Sequence, residues 1–201
     1  MSFTIFATKT MINIAIFASG SGTNAQNLIE HFNRGDFAHI PIVICNKPNA
    51  YVLERAKKLS VKSYILSKEE LCSNSPNLLI SILKEYNIDY IILAGYLLKI
   101  PKAIIELYKE KIINIHPALL PKYGGKGMYG EHVHKAVVNA KEKVSGITIH
   151  LVDEKYDNGA HLFQASCPID ATDSADDVAA KIHQLEQAHF PSVVEKYIRG
   201  E

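Results

Sequence analysis

Asn114 and His116 stand two residues apart where an apolar, β-branched run stops, and Pro117 and Pro121 follow. In a strand, side chains two apart point the same way. The pair would therefore project together from a strand's carboxyl end, where open α/β sheets bind their ligands. An amide donor beside an imidazole suits chemistry in which an oxyanion develops while a proton moves. A buried Asn and His at a strand end can also simply satisfy loop backbone. A carboxylate near His116 would hold its ring and favour the imidazolium. Asp153, Glu154 and Asp157 are equally eligible by type, and an Asp before Asn158-Gly159 is also ordinary turn chemistry.

A second candidate is Ala18-Ser19-Gly20-Ser21-Gly22-Thr23-Asn24, between the first apolar run and the first amphipathic stretch. Glycines let backbone approach a ligand, and free N–H groups at a helix start attract an anion. Gly20 and Gly22 fit G-x-G, but Leu28 and Ile29 fill the region of a third Gly, and no Gly-Lys-Ser/Thr follows. A phosphate monoester fits this loop better than a dinucleotide. The other reading is a tight strand-to-helix turn with Thr23 or Asn24 as N-cap. His132 and His134 imitate a metal pair, but a helix turns residues two apart to different faces, and no further Cys or His completes a site. No metal is expected. His150 reads as a packed, hydrogen-bonded histidine, and residues 122–127 as a loop, either a lid or plain surface.

The elements that must position these groups alternate. Strands are expected at 12–18, 40–45, 63–66, 90–94 and 112–115, and helices at 24–32, 51–59, 77–86 and 101–108. That order predicts a parallel, doubly wound sheet. The pattern then changes to a helix at 132–140 and strands at 146–152 and 161–168, with a turn signal at Asp157-Asn158-Gly159 between them. An antiparallel pair therefore joins the sheet late. A long helix over 174–199 closes the chain, with Pro191 marking a break or kink. The fold class is α/β: a Rossmann-like doubly wound, mostly parallel sheet with a late antiparallel pair and a long C-terminal helix.

A chain of 201 residues, 47% hydrophobic and 21% charged, can build one domain with a substantial core. A formal charge of +1 gives no reason to invoke nucleic acid or a membrane surface. Residues 1–10 carry no signal-peptide pattern and read as a disordered extension, with Met11 directly ahead of the first strand; residues 11–201 form the single domain. Cys45, Cys72 and Cys167 make neither a disulfide framework nor a zinc pattern, which suits the cytoplasm.

Four strings carry a resemblance: Ser19-Gly20-Ser21-Gly22-Thr23-Asn24, Leu93-Ala94-Gly95-Tyr96, Asn114-Ile115-His116-Pro117-Ala118-Leu119-Leu120-Pro121-Lys122-Tyr123, and Val152-Asp153-Glu154-Lys155-Tyr156-Asp157-Asn158-Gly159. With them the chain resembles the folate-dependent phosphoribosylglycinamide formyltransferases over nearly all of residues 11–200. The resemblance implies a Rossmann-like fold. It implies transfer of a formyl group from 10-formyltetrahydrofolate to the amine of phosphoribosylglycinamide, in purine synthesis. It makes Asn114 the donor to the formyl oxygen, His116 a protonated second stabiliser of the oxyanion, and Asp157 the carboxylate partner. Gly22, Thr23 and Asn24 would hold the phosphate, Glu186 the ribose hydroxyls, and Gly95 and Pro117 further parts of that substrate. Leu97, Leu98, Ile100, Ile112 and Val152 would line the pterin pocket, with Asp153 and Tyr156 beside it. The partners implied are these two small molecules, without nucleic acid or membrane; monomer and homodimer both stay open. Residues 124–130 are longer than the family's Pro-Gly turn, and residues 71–74 lack an Arg that many members carry. Methionyl-tRNA and nucleotide-sugar formyltransferases and formyl-folate hydrolases usually append another domain, which this chain does not show.

Overall fold

The computed structural model describes residues 11–72 and 76–201. The expected extension over residues 1–10 lies outside the described residues, as do Ser73 and Asn74. The alternation resolves into β1 (Ile12–Ala18), α1 (Thr23–Phe32), β2 (Ala38–Cys45), α2 (Val52–Lys58), β3 (Lys62–Ile65), α3 (Lys68–Cys72), α4 (Asn77–Glu85), β4 (Tyr90–Leu93), α5 (Lys102–Leu107) and β5 (Ile112–His116). Then come α6 (Glu131–Asn139), β6 (Val144–Leu151), β7 (His161–Pro168) and α7 (Ala175–Arg199). The strands form one sheet in the order β3-β2-β1-β4-β5-β6-β7. Pairings through β5 are parallel, and β5–β6 and β6–β7 are antiparallel.

Strand alternation sends the apolar side chains to two faces. On the first face Ile14, Ile16, Val43, Ile92, Ile113, Ile147 and Ile149 pack with Leu28 of α1, Val137 of α6 and Ile182 and Phe190 of α7. On the second face Ala15, Phe17, Ile42, Ile44, Ile91, Leu93 and Ile112 pack with Leu71 of α3, Leu79 and Leu83 of α4 and Ile104 of α5. Each fully buried aliphatic or Phe side chain contributes about 1.5–3 kcal/mol. The second cluster ends at Ile112 and includes no residue of β6 or β7.

Ser174 opens α7 with a capping box: its hydroxyl accepts from the Asp177 N–H, and the Asp177 carboxylate accepts from the Ser174 N–H. The break expected at Pro191 does not occur, and α7 runs through as one helix of 25 residues. Pro191 has no N–H to give the Gln187 carbonyl one turn earlier. That carbonyl instead accepts from Asn27 Nδ2 of α1 at 2.9 Å. Phe190 and Pro191 are buried, so the unusual turn is held on both sides.

Candidate active site

The antiparallel register sets Asn114 opposite His150 and His116 opposite Thr148. Residues directly opposite share a face, so these four side chains occupy the second face just beyond Ile112. They are polar and need partners there. Thr148 donates to the Ala118 carbonyl at 2.7 Å and accepts from the Leu120 N–H at 3.0 Å, which ties the loop after β5 back onto the sheet. His116 is 3% exposed; its Nε2–H donates to the Tyr123 carbonyl at 2.8 Å. Lys122 and the Tyr123 hydroxyl both bind Glu142 at 2.9 Å, so the start of the 122–127 loop, read as either a lid or plain surface, is anchored. Asn114 Nδ2 lies 3.0 Å from His150 Nε2, and His150 Nδ1 lies 2.8 Å from the Leu151 carbonyl.

The three candidate carboxylates separate by geometry. Glu154 points to Lys102 at 3.2 Å. Asp153 accepts from the Lys155 N–H and from Asn158 Nδ2, both at 2.8 Å, and builds its own turn. Asp157 alone faces the imidazoles: Oδ1 is 3.6 Å from His116 Nδ1 and 3.7 Å from His150 Nε2, while Oδ2 accepts from the Gly125 N–H at 2.8 Å. Its backbone is left-handed, with φ of 52°, which Asp tolerates better than most residues. Burial works to raise the Asp157 pKa, but the His150 ring, charge at His116 and the Gly125 N–H outweigh it and hold the carboxyl below its ordinary range. Burial pushes His116 below its ordinary value, and Asp157 and the Tyr123 carbonyl only partly counter this. Burial thus opposes the expected imidazolium and Asp157 favours it, while the Tyr123 carbonyl fixes the proton on Nε2 and Nδ1 faces Asp157.

The loop after β1 turns into α1 at Gly22, whose φ of 77° is left-handed. A Cβ there would lie 2.6 Å from Val52 atoms, so only glycine fits. Gly22 is the N-cap and no side chain caps the helix, so the alternative reading of Thr23 or Asn24 as N-cap does not hold. The Asn24 side chain bonds elsewhere, with Nδ2 donating to Glu186 at 2.9 Å and Oδ1 accepting from Gln187 Nε2 at 2.8 Å. It is thus directed to α7, and the loop offers an anion its backbone N–H groups and the helix dipole. Burial raises the Glu186 carboxyl, which Asn24 and His183 only partly offset.

These groups meet around one cavity of about 700 Å³, the size of a ligand site. Gly22, Thr23, Asn24, Gly95, Leu97, Leu98, Ile100, Asn114, His116, Pro117, Val152, Asp153, Tyr156, Asp157 and Glu186 line it. Ile112 does not. It is 1% exposed and belongs to the second core, one step too early on β5. His134 and Lys47 also line the cavity, although their sequence pattern does not single them out for it, and so do residues 125–130 of the loop read as either a lid or plain surface. Ser19 is a further addition: its Oγ accepts from the Leu97 N–H at 3.0 Å and joins the loops after β1 and β4. Of the two His-x-His residues, His134 is buried and His132 exposed, as helical spacing requires.

The Formyl transferase family model matches residues 12–194. The chain is 37% identical over 185 residues to the chloroplastic phosphoribosylglycinamide formyltransferase of Vigna unguiculata, covering 90% of this chain and 59% of that relative. It is 33% identical over 198 residues to the phosphoribosylglycinamide formyltransferase of Bacillus subtilis (strain 168), covering 95% and 99%. The crystal structure of phosphoribosylglycinamide formyltransferase from Streptococcus pneumoniae TIGR4 superposes with a TM-score of 0.83 at 36% identity, covering 94% of this chain and 99% of that one. The family model spans most of the chain and these relatives agree with it, and the chain belongs to the formyl transferase family.

Proposed function

We propose that this chain moves the formyl group of 10-formyltetrahydrofolate onto the amine of phosphoribosylglycinamide, with residues 11–201 acting as one domain. The observation that carries this is the convergence of Asn114, His116 and Asp157 on a cavity also lined by the α1 amino terminus and Glu186. The phosphate docks on the backbone of Gly22, Thr23 and Asn24, and Glu186 takes the ribose hydroxyls. Gly95 and Pro117 flank that substrate. Leu97, Leu98, Ile100 and Val152 give the pterin an apolar wall, with Asp153 and Tyr156 at its edge.

The amine attacks the formyl carbon and a C–N bond forms. Asn114 donates to the oxygen as it becomes an oxyanion. His116 Nδ1 takes a proton from the attacking nitrogen, and the imidazolium so formed is opposed by Asp157. The same proton passes to the folate nitrogen as its bond to the formyl carbon breaks, giving formyl-phosphoribosylglycinamide and tetrahydrofolate. His116 is thus charged only in passing, and no covalent intermediate on the protein or metal ion enters. Three unpaired cysteines suit action in the cytoplasm.

The test offers formyl-folate with and without phosphoribosylglycinamide and follows folate release. Release that requires the amine is expected. Release without it indicates a hydrolase, and binding of both ligands without release indicates a binding protein; either overturns the proposal.

A further inference from the structure

We infer that His150 is a positioning residue that sets the amide of Asn114 for the oxyanion, an inference that rests on the formyl-transfer reading above. His150 is 2% exposed, and both its ring nitrogens are engaged. The Leu151 carbonyl, 2.8 Å from Nδ1, can only accept, so Nδ1 carries the ring proton. Nε2 faces Asn114 Nδ2 at 3.0 Å, an amide nitrogen that can only donate, so Nε2 is the acceptor. One amide N–H is thereby fixed on the sheet side, and the other N–H and Oδ1 are left to the cavity that Asn114 lines. Without an acceptor at His150 the amide could turn over and present its oxygen to the developing negative charge.

The Leu151 carbonyl is itself constrained. A Cβ on Gly159 would lie 1.9 Å from it, so the carbonyl keeps its place because residue 159 has no side chain. The segment Asp157-Asn158-Gly159 thus supplies the carboxylate and, through Gly159, the carbonyl that selects the His150 tautomer. A competing role for His150 is direct support of Asp157, whose Oδ1 is 3.7 Å from Nε2. The contact to Asn114 is the shorter, at 3.0 Å, and an Nε2 that accepts from Asn114 cannot donate to Asp157 at the same time.

The test is steady-state kinetics on the full chain for His150→Leu, His150→Gln, His150→Asn, Asn114→Ala and the His150→Leu/Asn114→Ala double variant, each with its melting temperature. His150→Leu should lower kcat about tenfold to a hundredfold, short of the ~10²–10³ for an oxyanion donor removed outright, with KM for both substrates little changed. Gln carries an acceptor where Nε2 stands and should restore most of kcat. Asn can still donate to Leu151 but does not reach Asn114, and should stay slow. This Gln–Asn contrast holds even where the Leu variant fails to fold. In the Asn114→Ala background, His150→Leu should cost nothing further. Normal kcat in His150→Leu, equal rates for Gln and Asn, or an undiminished loss in the double variant overturns the inference. Normal turnover in Asn114→Ala would instead sink the formyl-transfer assignment itself.

Discussion

On the first face of the sheet, Ile16, Ile92, Ile113 and Ile147 lie under α1, α6 and α7. On the second, helix-covered packing ends at Ile112, and Asn114, His116, Thr148 and His150 continue the same surface. The strands are shared, so backbone geometry does not distinguish the two faces. What differs is the cover. Where helices cover the sheet, apolar side chains close-pack and stabilise. Where a loop covers it, polar side chains find partners and a cavity opens. Stability belongs to the helix-covered parts of both faces, and chemistry to the loop-covered edge of the second.

The largest test of that division is Phe190→Ala on the first face. It should lower stability by about 3–5 kcal/mol in denaturant titration, with kcat per folded molecule unchanged; a parallel fall in kcat would break the division. Next is His116→Ala on the second face. It should cost roughly 10²–10³ in kcat, while the denaturation midpoint shows no comparable loss. Smaller is Asn27→Ala, which strands the Gln187 carbonyl and should cost about 1–3 kcal/mol. In a Pro191→Ala background the helix regains its own bond, and the same substitution should cost less. The smallest effect is a pH profile. Because burial depresses His116, the competent neutral ring persists below the ordinary His value of about 6.5. The acid limb of kcat/KM should then centre under that value, among His134, His150 and Asp157. The sign is the same for stability: the contribution of a neutral buried His116 is complete above about 6.5 and is lost as pH falls through its folded pKa. An acid limb centred above that value would overturn the neutral resting ring.

Much of this organisation is readable from residue order. The β–α alternation and the late change of pattern yield the parallel sheet and its antiparallel end, because both depend on local periodicity. Asn114 and His116 are legible together because strand geometry fixes the direction of residues two apart. The resemblance sets Ile112 in the pterin pocket, but this residue lies one strand step earlier on the same face, where helices still cover the sheet. The choice of Asp157 over Asp153 and Glu154 depends on which carboxylate a turn consumes. The part of His150 depends on strand register, which no local pattern encodes. At Pro191 the local rule is sound, but its cost is met by Asn27, far away in sequence. The α3 helix escapes a reading by pattern, since its five residues are too few to show a period.

The pairing of Asn114 with His150 across β5 and β6 also has a consequence for how this site can fail or change. Strand register shifts only in whole residues, and a shift of one sends a side chain through to the opposite face. The alignment of these two groups is therefore discrete. Thermal motion and distant substitutions can tilt or spread the strands, but they cannot slide the pair part-way out of line. Insertions in the connection between β5 and β6 should leave the pair in place so long as the ladder re-forms in the same frame and the Tyr123 carbonyl, the Gly125 N–H and α6 keep their positions.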